Sequence, residues 1–134
     1  MYYCYILYST NSLFSNRTYI GMTNNPTKRL HQHNNTKQGA KSTRIIRPLD
    51  FLCIIGTFEN KIEALKFEWL LKHPERKKYS NKYHGINGKI DTLLYLFNNN
   101  NDNLNIWINE KYKNNDKLIN NNIKCNDLTS FIIN

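Results

Sequence analysis

The stretch Arg17–His33 constrains the fold most, because a short strand turns there at a glycine and runs into a helix. Asn25 is suited to cap that helix. Pro26 is suited to its first position, where the N–H that proline lacks has no helical partner. Arg29 and His33 are four residues apart and therefore share one helical face. With a tyrosine at the end of the preceding strand, the stretch gathers a phenol, a guanidinium and an imidazole. This combination suits an anionic substrate such as nucleic acid.

The positive charge of the chain is concentrated near its start. The net charge is +9, yet the first 49 residues contain no Asp or Glu and seven Lys or Arg. A surface built only for solubility would mix the two signs, so we expect a patch that faces phosphate groups. Besides Arg29, the cations of this predicted nucleic-acid-binding patch are Arg17, Lys28, Lys37, Lys41, Arg44 and Arg47.

Hydrophobic patterning predicts alternating strands and helices in a single domain, the usual expectation for 134 residues. The predicted strands are Tyr2–Tyr8, Arg17–Met22, Leu49–Phe58 and Leu104–Ile108, the first two forming an antiparallel hairpin. The predicted helices are Pro26 to about Asn34, Asn60–Lys72 and Ile86–Phe97. Residues 35–48 are predicted to be a basic loop without periodicity, and residues 75–82 and 98–103 to be further loops. Beyond Tyr112 the Asn- and Lys-rich composition predicts a partly disordered or weakly helical tail.

The helix predicted at 60–72 has two apolar stripes, which favours a position in the core; they are Ile62, Leu65 and Trp69, and Ala64, Phe67 and Leu71. Trp69 and Trp107 are predicted to be core residues rather than platforms on which bases stack. Glu68 lies among apolar neighbours on this helix, where an unpaired carboxylate is costly. Two interpretations remain open. Glu68 forms a surface ion pair with Lys72 one turn later, or it is a metal ligand at the edge of the core.

The three cysteines lack C-x-x-C spacing, so they do not predict a zinc site. Cys4 and Cys53 lie in apolar runs, where free cysteine behaves as a small core residue. The odd count and the lack of a signal peptide predict a reducing, intracellular compartment. No apolar run approaches the roughly 18 residues of a membrane helix, so no membrane partner is expected.

Several motifs in order resemble the GIY-YIG nuclease superfamily. Tyr3-Cys4-Tyr5 stands where the first half-motif has Gly-Ile-Tyr, and Tyr19-Ile20-Gly21 matches the second half-motif. Arg29 and His33 fit the helix that follows, and Glu68 fits the acidic residue of the next helix. The resemblance is closest to the structure-specific, Holliday-junction-cleaving branch, the Slx-type catalytic subunits. It covers residues 2–75 well and 83–110 loosely. The stretches that carry this closer likeness are Thr18–Pro26, Gln32–Asn34, Gly39–Lys41, Phe67–Trp69 and His73–Pro74.

The resemblance implies an α/β (α+β) fold with a central three-stranded antiparallel sheet flanked by helices. It also implies metal-dependent hydrolysis of phosphodiester bonds in branched DNA, in repair or recombination. Glu68 would hold one divalent ion, Mg²⁺ or Mn²⁺. Arg29 would neutralise transition-state charge, and His33 would assist proton transfer or hold the phosphate. Tyr5 or Tyr19 would act as the general base or orient the attacking water, with the basic patch lowering the phenol pKa.

The resemblance divides the chain into an endonuclease domain, residues 1–112, and a tail, residues 113–134. Its closest branch carries a C-terminal RING-type zinc domain that docks a scaffold protein. Only Cys125 lies beyond Cys53, so we expect a viral or otherwise reduced version without that domain, and a scaffold partner stays open. The nucleus, the cytoplasm and a viral replication site all remain possible locations. Two other functions compete, namely a non-catalytic DNA- or RNA-binding module and a sequence-specific nuclease.

Overall fold

A computed structural model describes residues 1–76, 81–98 and 103–133. Its strands form one sheet in the order β2-β1-β3-β4-β5, antiparallel except for the parallel pair β4 and β5. The strands are β1 (Tyr2–Ser9), β2 (Thr18–Thr23), β3 (Leu49–Phe58), β4 (Asn105–Ile108) and β5 (Asn126–Asp127). The α/β class and the first hairpin are confirmed, but the described sheet has five strands rather than the three predicted.

The helices are α1 (Pro26–Asn35), α2 (Lys41–Ile45), α3 (Lys61–Lys72), α4 (Gly85–Asn98), α5 (Asp116–Asn120) and α6 (Leu128–Ile133). The predicted start of α1 is confirmed, because Pro26 opens the helix and Asn25 Oδ1 accepts the Lys28 N–H at 3.1 Å. Asn60 caps α3 in the same way, accepting the Glu63 N–H at 2.9 Å. The two asparagine side chains therefore accept hydrogen bonds from backbone N–H groups that have no partner within the first turn of a helix.

Successive residues of β1 point to opposite faces of the sheet, as strand geometry requires. Cys4 and Ile6 belong to the core cluster that α3 and α4 cover, and Cys53 is buried with them. This confirms the predicted core positions of Cys4 and Cys53. Tyr5 and Leu7 belong to the cluster on the other face, against which Leu30 of α1 packs. The sheet therefore has a core on both faces, and β1 runs between them.

The segment predicted as a basic loop at 35–48 contains the five-residue helix α2. Thr43 is the buried residue of this helix, and its hydroxyl donates to the Ala40 carbonyl at 2.6 Å. The apolar pattern gave no sign of the helix because a single buried polar residue anchors it. The loops predicted at 75–82 and 98–103 fall partly outside the described residues.

Helix α3 buries one face rather than most of its surface. Ala64, Phe67 and Leu71 are buried against the sheet, whereas the predicted stripe that contains Trp69 is exposed, with Trp69 at 46%. The prediction that Trp69 is a core residue is therefore wrong. One face of α3 covers the sheet, and none of the described residues covers the other face enough to bury it.

The segment after Tyr112, which was predicted to be partly disordered or weakly helical, contains two short helices and a strand. It forms α5, β5 and α6, and it buries Leu118 and Leu128 in the two core clusters. The composition missed this because two widely spaced leucines and a two-residue strand, Asn126–Asp127, carry the packing. Among the described residues no helix combines the length and apolar character needed to cross a membrane.

Candidate active site

The Tyr5 phenol lies across Gly21 of the edge strand β2. The two residues are paired in register between β1 and β2. A Cβ atom at Gly21 would fall 2.3 Å from the Tyr5 hydroxyl oxygen, which is too close for any real contact. The glycine of the second half-motif is therefore required because the aromatic ring occupies the space of a side chain. Tyr5 itself is 1% exposed.

The Tyr5 hydroxyl is hydrogen-bonded to His33 Nε2 at 2.8 Å, and both side chains are buried. His33 comes from α1, so this bond joins the helix to the central part of the sheet. The Tyr19 ring lies beside both groups, with its centroid 4.9 Å from that of His33 and 6.4 Å from that of Tyr5. Tyr19 is half-buried, so it lies between the buried pair and the surface.

Thr43 determines which nitrogen of His33 carries the proton. Its hydroxyl donates to the Ala40 carbonyl at 2.6 Å and also lies 3.0 Å from His33 Nδ1. Since a hydroxyl has one hydrogen to donate, Thr43 accepts from Nδ1–H of His33. Neutral His33 then accepts at Nε2, and Tyr5 donates to it. In the hydrogen-bond chain Tyr5–His33–Thr43–Ala40, each side chain therefore donates a hydrogen bond to the next residue in the series.

Burial keeps the histidine and the phenol of this chain uncharged. Burial, with the nearby charges of Arg29 and Arg47, lowers the pKa of His33 to about 4. Burial also raises the pKa of Tyr5 above its ordinary value, and interaction with Arg29 offsets only part of this rise. The expectation that the basic patch lowers the Tyr5 pKa overall is therefore wrong, because the cost of burying a phenolate exceeds the effect of the cation.

Arg29 is half-exposed and held in place beside the phenol. Its Nη1 donates to the Gln32 side chain at 2.9 Å and to the Gln38 carbonyl at 3.0 Å. The guanidinium is thus positioned by its own helix and by the loop that leads to α2. A positioned, partly exposed guanidinium is suited to bind one phosphate group.

Glu68 lies on α3, which covers the face of the sheet opposite Tyr5, and only its charge reaches the site. Its charge raises the pKa of the Tyr5 phenol, with the smallest effect among the causes acting there. Burial and the Glu68 charge also raise the pKa of Cys4, which faces the other side of the sheet, to about 12. Glu68 is paired with Lys72 at 3.5 Å, and its side chain is 18% exposed. The ion-pair interpretation is thus observed, and a metal role stays a prediction.

The predicted phosphate-facing cations divide into two groups. Arg47 is half-buried, and its guanidinium donates to the carbonyls of Gln32, His33 and Thr36 at the end of α1. Arg47 therefore satisfies carbonyl groups that a helix end leaves unpaired, a role that its charge alone did not indicate. The exposed members are Arg17, Lys28, Lys37, Lys41 and Arg44. DNA binding by any of the six stays a prediction.

Of the residues in this site, sequence reasoning missed Thr43, since a threonine in a short basic segment carries no pattern of its own. A usable signal was present in the Gly39-Ala40-Lys41 motif. A Cβ at Gly39 would lie 2.7 Å from the His33 Cα, so the glycine allows this loop to approach α1 closely. That close approach brings Thr43 to the imidazole.

A sequence model of the GIY-YIG catalytic domain matches residues 1–84. The matched region contains β1, β2, α1, α2, β3 and α3, and with them every residue of the site described above. The class that this fold and site define is the GIY-YIG catalytic domain. The chain belongs to the GIY-YIG family.

Curated relatives show which branch of the family the chain is similar to. A structure-specific endonuclease subunit SLX1 homolog of Brugia malayi is 46% identical over 78 residues, 57% of this chain and 23% of the relative. The subunit slx1 of Xenopus laevis is 44% identical over 75 residues, 54% of the chain and 27% of the relative. The subunit slx1 of Schizosaccharomyces pombe is 37% identical over 95 residues, 70% of the chain and 35% of the relative. The chain thus spans about a third or less of these relatives' lengths.

Replacing Thr43 tests the assigned tautomer of His33. Thr43→Val keeps the shape of the side chain but removes the acceptor for Nδ1–H. A buried N–H without a partner costs about 1–3 kcal/mol, so we expect lower stability and a mixture of tautomers. Nitrogen chemical shifts of His33 measure the tautomers, and urea unfolding measures the stability. Thr43→Ser retains the hydroxyl and should keep the wild-type tautomer, whereas a wild-type spectrum for Thr43→Val would contradict the assignment.

His33 should also make stability depend on pH. Its pKa is about 4 in the folded protein, below the ordinary value of 6.5, so folding opposes its protonation. The contribution of neutral His33 to the free energy of unfolding is complete above about pH 6.5. It is lost as the pH falls toward 4, which lowers the stability by roughly 2–3 kcal/mol. Urea unfolding at a series of pH values measures this change. His33→Gln cannot titrate at this position, so its free energy of unfolding should fall less steeply as the pH is lowered. Equal dependence on pH for the two proteins would refute the claim that His33 is neutral in the folded protein.

Proposed function

We propose that this chain is a metal-dependent, structure-specific DNA endonuclease that hydrolyses phosphodiester bonds in branched DNA during repair or recombination. The observation that carries the proposal is the meeting of Tyr19, Arg29 and the bonded pair Tyr5–His33. Glu68 enters the proposal through the motif resemblance. Flaps and four-way junctions are the proposed substrates, because the relatives are named structure-specific endonuclease subunits. The word subunit in those names supports a protein partner as well.

Phosphodiester hydrolysis places extra negative charge on the phosphoryl oxygens in the transition state, so a positioned cation accelerates it. In our proposal Arg29 supplies that charge through its planar guanidinium. The contacts of Arg29 to Gln32 and Gln38 hold the group before DNA arrives, so little reorganisation is needed during the reaction.

Glu68 fits a shared metal site rather than one made by protein alone. Within residues 1–76, 81–98 and 103–133, no three His, Cys, Asp or Glu side chains converge on one point. Mg²⁺ is commonly held by one or two carboxylates together with substrate phosphate and water, and Mn²⁺ also prefers oxygen ligands. Glu68 is partly exposed and could turn from Lys72 to such an ion. When bound, the ion would polarise a phosphoryl oxygen and stabilise the developing charge.

The buried hydrogen-bond chain offers a route for the proton of the attacking water. The Tyr5 oxygen accepts that proton while its own proton passes to His33 Nε2, and the water oxygen bonds to phosphorus as the P–O bond to the leaving strand breaks. The leaving oxygen takes a proton from solvent, and His33 Nδ1–H stays bonded to Thr43. The phenol is neutral before and after this transfer, so its raised pKa is no obstacle. Burial, and after it the charges of Arg29 and Arg47, lower the His33 pKa, and a bound phosphate would offset the two charges and make His33 a somewhat better base.

Cleavage of branched DNA by the purified chain tests the proposal, with Glu68→Gln as the informative variant. We expect Mg²⁺-dependent cleavage of flap and four-way DNA, and a loss of at least about 100-fold for Glu68→Gln, since charge stabilisation in such sites is worth that much. Single-turnover rate constants measure the effect.

Glu63→Gln is the matched control because Glu63 lies on the same helix, 56% exposed and paired with Lys66. It should retain wild-type cleavage. Salt-sensitive DNA binding by wild type with no cleavage at any metal concentration would instead favour the non-catalytic binding module. Equal cleavage of linear duplexes and junctions would remove the claim of structure specificity.

A further inference from the structure

A cleft of about 420 Å³ opens beside the proposed active site, at the start of α1. Its apolar wall consists of the aromatic rings of Tyr3, Trp107 and Phe131. Its polar wall includes Asn24, Thr27 and Thr57, all of which are exposed. The residues that line the cleft include neither Asp nor Glu, so nothing in its wall repels a phosphate-bearing ligand.

The three rings support one another and leave surface open toward the cleft. Trp107 meets Phe131 edge to face at 4.9 Å between centroids and Tyr3 at 6.4 Å, and Tyr3 meets Phe131 at 5.2 Å. All three side chains are only half-buried. A core cluster would be covered, whereas this one forms the wall of an open, partly polar space.

The cleft lies on the same side of the sheet as the active site. Tyr3 and Tyr5 are two residues apart on β1 and therefore point to one face. Helix α1 begins at the cleft and carries His33, whose position is about 12 Å further along the helix than the Asn25 cap. At about 3.4 Å per nucleotide in a stacked strand, a chain held at Arg29, which lies between Asn25 and His33 on the same helix, reaches the cleft within a few nucleotides.

We propose that this cleft binds one unpaired nucleobase of the DNA substrate. The inference rests on the proposed endonuclease function and names the feature that makes a branched substrate recognisable, a single-stranded nucleotide near the scissile phosphate. Aromatic faces stack on any base, and the amide and hydroxyl groups opposite can pair with base edges. Trp107 and Phe131 lie beyond residue 84, where the family match ends, so the site belongs to this chain's own C-terminal elements.

Binding of a fluorescently labelled flap DNA, measured in EDTA so that nothing is cleaved, tests the cleft. Trp107→Leu removes the central ring, and Thr27→Phe fills the cleft from the exposed start of α1 without removing a wall. We expect each variant to bind the flap about 5- to 150-fold more weakly, the range expected for losing one stacked base. Trp69→Leu, which alters the exposed tryptophan of α3, is the matched control and should bind like wild type.

A flap with abasic nucleotides in its single-stranded arm, within the first four positions from the junction, identifies the ligand as a base. Wild type should bind this flap as weakly as Trp107→Leu binds the intact flap, and combining the two changes should add nothing further. The proposal is overturned if the two losses add together, or if Thr27→Phe binds the intact flap as tightly as wild type does.

The cleavage assay keeps this proposal separate from the one on which it rests. Cleavage by wild type with Mg²⁺, together with unchanged flap binding by both cleft variants, overturns the nucleobase site and leaves the endonuclease. Cleft-dependent binding without any cleavage by wild type supports the nucleobase site and overturns the endonuclease.

Discussion

The buried hydrogen bond between Tyr5 and His33 is the interaction on which the rest of the site depends. Both groups are almost fully removed from water, so each must find its partner inside the protein. The bond fixes α1 against the sheet, and it requires glycine at position 21 beneath the ring and at position 39 behind the helix. Thr43 completes it by determining the histidine tautomer. Residues from β1, β2, α1 and α2 are thus constrained by one contact.

The same burial decides what chemistry this pair can do. A phenol whose pKa burial raises and an imidazole whose pKa is lowered to about 4 are both neutral near pH 7, so neither is a ready base when DNA is absent. A relay in which Tyr5 receives one proton and donates another avoids a buried phenolate. In the proposed function, the bound phosphate offsets the charges of Arg29 and Arg47 and makes the histidine more basic than in the free protein. Reaction would then depend on substrate binding.

Local patterning predicted most of the fold. Asn25 and Pro26 marked the start of α1, and apolar runs marked β1 and β3. Alternation of Leu104, Ile106 and Ile108 with Asn105 and Trp107 marked β4. The patterns failed where tertiary contacts decide the structure. Helix α2 is anchored by the buried hydroxyl of Thr43, and β5 is polar in sequence. Helix α3 has two apolar stripes of which packing buries one.

The five candidate catalytic positions came from motif resemblance. The structure brings Tyr5, Tyr19, Arg29 and His33 together, whereas Glu68 lies on α3 across the sheet and a role for it stays a prediction. Residue type alone could not show that Arg47 caps α1 instead of projecting freely. It also could not show that Trp107 lines an open cleft. Both depend on which surfaces the later elements cover, and those contacts link residues far apart in sequence.

Single-turnover cleavage of flap DNA by Tyr5→Phe and Tyr19→Phe tests the central claim most directly. The proton route through Tyr5 and His33 predicts that Tyr5→Phe lowers the rate constant by about 100- to 10,000-fold, as expected for loss of acid–base catalysis. Tyr19→Phe should stay within about tenfold of wild type, because its ring contacts the pair but provides no link in the hydrogen-bond chain. Near wild-type cleavage by Tyr5→Phe, with activity lost in Tyr19→Phe, would contradict the account.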